Sequence, residues 1–86
     1  MAENKSFSRS LIGRTVVSKS GKKFGVVGDL IFEIRTGELI YLVLNGMTPH
    51  ASGIDLEKTE DGNPMLPFSS VISVSDFVVV AEEDII

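Results

Sequence analysis

The stretch FGVVGDLIFEIRTGELIYLVLN, residues 24–45, decides how this chain folds. Leu30, Phe32 and Ile34 alternate with Ile31, Glu33 and Arg35, which is the period of two that a β-strand imposes on its side chains. Arg35-Thr36-Gly37-Glu38 reads as a tight turn into a second arm. That arm, Leu39 to Leu44, is apolar at every position, so both of its faces require cover. A strand apolar on both sides is no solvent-facing ribbon. It belongs inside a barrel or sandwich, or against another chain.

Working outward, Leu11-Ile12-Gly13 leads into a first strand from Arg14 to Ser18, closed by a turn at Ser20-Gly21. Gly25 and Gly28 interrupt the second strand, where glycine marks a bulge, a bend or a close backbone approach. A small barrel needs such bends to curve its sheet. Beyond Asn45, Gly46 to Gly53 is a breaker-rich loop, Ile54 to Glu57 alternates again, and Asp61-Gly62 signals a hairpin. Met65 to Phe68 is the returning strand, held to an edge or its ends by Pro64 and Pro67. A short helical turn is expected near 68–71, because Ser69 or Ser70 can cap one. Val71–Val74 and Phe77–Ala81 are two further strands, broken at Ser75-Asp76. No window carries a helical period of 3.6. The fold class is therefore all-β, a small barrel of about six strands. Residues 1–10 read as a flexible N-terminal arm, 11–81 as the barrel domain and 82–86 as an acidic C-terminal tail.

Composition narrows the function by exclusion. Eighty-six residues make one domain, near the lower size at which one core suffices. There is no cysteine, hence no disulfide framework, thiolate nucleophile or zinc–thiolate site. The polar start MAENKSFSRS lacks a signal-peptide core. No apolar run approaches the roughly 20 residues that span a bilayer. A cytoplasmic protein without direct membrane insertion is expected.

Net charge is −4 and is unevenly spread. Six of the eight basic residues lie within the first 23 positions, against Glu3 alone. Arg14, Lys19, Lys22 and Lys23 form the candidate basic patch. It is either ordinary solvated surface or a contact for an acidic partner. With a net negative charge, nucleic-acid binding is not expected.

Side chains able to carry chemistry are few. Gly25-x-x-Gly28 sits inside a strand with no helix after it, so it does not present N–H groups to a phosphate. His50 is the sole histidine and lacks neighbours of ligand type at suitable spacing; it also lacks the partners of a triad. Asp29 and Glu33 share a strand face roughly 13 Å apart, beyond the span of paired acid/base carboxylates. Asp29 is expected to satisfy backbone donors at a bend, and Glu33 to meet solvent or a cross-strand base. Neither a catalytic residue, a metal site nor a cofactor is expected.

The apolar excess points elsewhere. Leu39, Tyr41 and Val43 share one face of their strand, and if uncovered would form an exposed apolar patch with Ile31. Phe77 and Val79 repeat the double-sided pattern in the last strand. These six residues are the candidate interaction surface. Two double-sided strands in so small a chain favour a homodimer, the commonest symmetric assembly.

The order of these pieces resembles the PRC-barrel family. The likeness rests on Leu11-Ile12-Gly13-Arg14-Thr15-Val16-Val17, on Ser20-Gly21-Lys22-Lys23-Phe24-Gly25-Val26-Val27-Gly28-Asp29-Leu30, on Thr36 to Leu44, and on Leu66-Pro67-Phe68-Ser69-Ser70-Val71. Ser75 stands where many members carry glycine. The family is found in the photosynthetic reaction-centre H subunit and in the C-terminal half of the ribosome-maturation factor RimM. The resemblance implies a non-enzymatic protein–protein adaptor. Freestanding copies of this length are similar to archaeal cell-division factors that dimerise and associate with the protein SepF, which implies a SepF-like partner. A RimM-like role in ribosome assembly is the alternative that it implies, and a small-ligand module using the barrel mouth is a third.

Overall fold

The computed structural model describes residues 9–85. Of the expected arm, residues 1–8, with Phe7, lie outside the described residues; residues 9–11 form a helical turn. Seven strands follow: β1 (Thr15–Ser18), β2 (Lys23–Phe32), β3 (Leu39–Asn45), β4 (Glu57–Lys58), β5 (Pro64–Pro67), β6 (Val71–Val74) and β7 (Phe77–Val80). They make one sheet in the order β4-β5-β3-β2-β1-β7-β6. The all-β barrel-type architecture is as expected, with two-residue β4 bringing the strands to seven. The sheet curves but does not close, since β4 and β6 remain its edges.

Glycine sets the curvature of β2. Gly28 is the extra residue of a bulge, because Val27 faces Leu44 while Asp29 already faces Val43. A Cβ at Gly28 would lie 2.8 Å from the Asn45 Cβ, so the close approach of β3 demands glycine there. A second bulge separates the pairs Val16–Gly25 and Val17–Lys23. The two bends let one ten-residue strand pair with β1 at its start and β3 along its remainder.

The concave face holds the core. Leu42 and Leu66 meet across β3 and β5, Val27 meets Leu44, and Val16 meets Val78; all are buried. Leu11 seals one end, and Phe24 packs edge-on against the His50 ring with centroids 5.4 Å apart. β1 and β7 run parallel, Thr15 beside Phe77 through Ser18 beside Val80. Parallel neighbours need a long crossover, and here nearly the whole chain supplies it.

The loop after β3 holds a short helix, Pro49–Ser52, where sequence alone gave only breakers. Proline at its start and Thr48 at its N-cap explain it: Thr48 Oγ1 accepts from the Ala51 N–H at 3.3 Å. The same hydroxyl donates to the Lys23 carbonyl, fastening the loop to β2. Thr48→Ala should lose about 1 kcal/mol, read as a lower urea midpoint with unchanged slope, while Thr48→Ser keeps most of it.

The turn expected near 68–71 is a 3₁₀ segment, Phe68–Ser70. Ser70 is buried inside it, its hydroxyl donating to the Pro67 carbonyl at 2.6 Å. Residues Glu82–Asp84 form a second such turn, and Ile85 packs against the core.

Candidate interaction surface

Antiparallel pairing puts directly opposed residues on one face of a sheet. On the convex side, Asp29 therefore shares a row with Val43 and Met65, and Ile31 shares the next row with Tyr41 and Pro67. Tyr41 donates its hydroxyl to Glu57 Oε2 at 3.0 Å, a contact between β3 and β4. This bond, with the negative charge of Glu57, holds the phenol above its usual range. Ile31 and Tyr41 are half-exposed, whereas Val43 is only 8% exposed.

Leu39 departs from the simple alternation. A register shift between the pairs Ile31–Tyr41 and Phe32–Leu39 makes Ile40 an extra residue. Leu39 then packs partly against the core. Phe77 and Val79 lie on the convex face of β7, opposite buried Val78 and Val80. With β1 interposed in the sheet, the six candidate residues divide into a β2–β3 group and a β7 group.

The more exposed apolar side chains of the β2–β3 ribbon are ones that alternation assigns to the inside. Phe32 is 42% exposed and Ile34 is 98% exposed. A signal for this was present, because Ile34 immediately precedes the turn. That turn is closed by Glu33 N–H to the Glu38 carbonyl and Gly37 N–H to the Glu33 carbonyl, both at 2.8 Å. The ribbon tip thus extends beyond the core.

The groups singled out for chemistry have structural partners. Asp29 Oδ1 accepts from the Leu30 N–H at 2.8 Å, so it does satisfy a backbone donor. Glu33 Oε1 accepts from the Arg35 N–H at 3.2 Å. His50 Nε2 lies 2.9 Å from Glu82 Oε1. Among the described residues, no three His, Cys, Asp or Glu side chains gather where a metal could be held.

Two of the four basic residues have partners within the fold. Arg14 Nε donates to the Ser10 carbonyl at 2.7 Å, and Lys19 Nζ pairs with Glu83 at 2.7 Å. That pairing holds the Lys19 amine above and the Glu83 carboxyl below their ordinary ranges, through the side-chain hydrogen bond first. Lys22 and Lys23 stay exposed beside it.

The sheet order, glycine bulges and short terminal turn now bear on kinship. The PRC-barrel domain model matches residues 3–84, nearly the whole chain. The chain belongs to the PRC-barrel family. It is also similar to an uncharacterized protein of Methanocaldococcus jannaschii, 24% identical over 78 residues, covering 91% of this chain and 83% of that one. PRC-barrels are generally non-catalytic, and the fold suits a small interaction module. No helix among the described residues of this PRC-barrel is long and apolar enough to cross a membrane.

Proposed function

We propose that this PRC-barrel is a non-enzymatic protein–protein adaptor that works as a homodimer in the cytoplasm. The observation that carries this reading is the β2–β3 ribbon. It holds Phe32 and Ile34 in solvent and leaves Ile31 and Tyr41 half-covered. Exposed aliphatic and aromatic surface on a rigid ribbon favours association, because covering it removes apolar area from water. That members of the family are generally non-catalytic supports the absence of catalysis.

The cellular setting is archaeal cell division, with a SepF-like protein as partner. This rests on the resemblance to freestanding archaeal members, and the archaeal relative is consistent with it. Light scattering at micromolar concentration should give twice the 9.3 kDa chain mass; a monomer mass overturns the dimer. Tyr41→Asp should weaken assembly, by placing a charge on the half-covered face beside Glu57. The purified protein should retain a purified SepF-like protein on a column, and failure to do so removes that partner.

A further inference from the structure

We draw no further inference here: the strongest candidate, the exposed apolar tip of the β2–β3 ribbon at Phe32 and Ile34, carries none, because nothing among the described residues shows what covers it.

Discussion

Phe24→Ala is expected to lower stability by about 3–5 kcal/mol, the cost of truncating a fully enclosed aromatic side chain. Phe24 is 0% exposed and sits where β2 begins, against His50 and beneath the loop tied down by Thr48. Domains of this size are stable by about 5–15 kcal/mol in total, so the loss takes a large share. It should lower the melting temperature by about 12 °C or more, at about 4–8 °C per kcal/mol for chains of this length. Phe24→Leu should recover most of it, giving up chiefly the edge-on ring contact. An alanine variant losing less than about 1 kcal/mol in urea titration would show that the site collapses around the gap. The placement of Phe24 at the heart of the core would then be untenable.

Gly25→Ala is expected to cost about 1–3 kcal/mol. A Cβ there would stand 3.0 Å from the Asn45 carbonyl oxygen and 3.3 Å from that of Gly46. Both are backbone atoms, fixed by the loop whose Thr48 N–H donates to the Phe24 carbonyl at 2.9 Å. Nothing flexible is available to yield. Gly53→Ala supplies the contrast. Its Cβ would meet the His50 carbonyl at 3.5 Å, an ordinary contact, and its φ of −80° suits any residue. It should be neutral or stabilising by about 0.4–1 kcal/mol, through a less flexible unfolded chain. Equal losses for the two variants in chemical denaturation would show that the close approach at Gly25 is not real.

Much of this architecture is written in short-range pattern. Alternation located the strands, and Gly37 and Gly62 both adopt the positive φ that their turns require. Asp29 was recognisable as a backbone partner because a short acceptor beside a glycine bulge has donors within reach. The features that escaped are those joining distant residues. His50 with Glu82, and Lys19 with Glu83, tie the terminal turn to the body of the fold. No periodicity records a contact across more than thirty positions. Of the candidate surface, Ile31 and Tyr41 were grouped on one patch from the sequence, and their direct pairing came from the register. The outward turn of Phe32 and Ile34 was signalled only by the place of Ile34 just before the turn, because a period of two describes a strand only until its hairpin leaves the core. Leu39 shows the same limit, since one extra residue at Ile40 changes the face it presents.

The parallel contact between β1 and β7 has a bearing on how the molecule is made. Synthesis delivers Thr15–Ser18 well before Phe77–Val80, yet the two lie side by side in the interior of the sheet. A nascent chain halted before Phe77 exposes one flank of β1 and leaves Val16 without its cover. The sheet therefore completes only once Phe77–Val80 is available, and such distant closure makes for slow assembly. Moving the last two strands ahead of β1 by circular permutation should turn that closure local and quicken refolding.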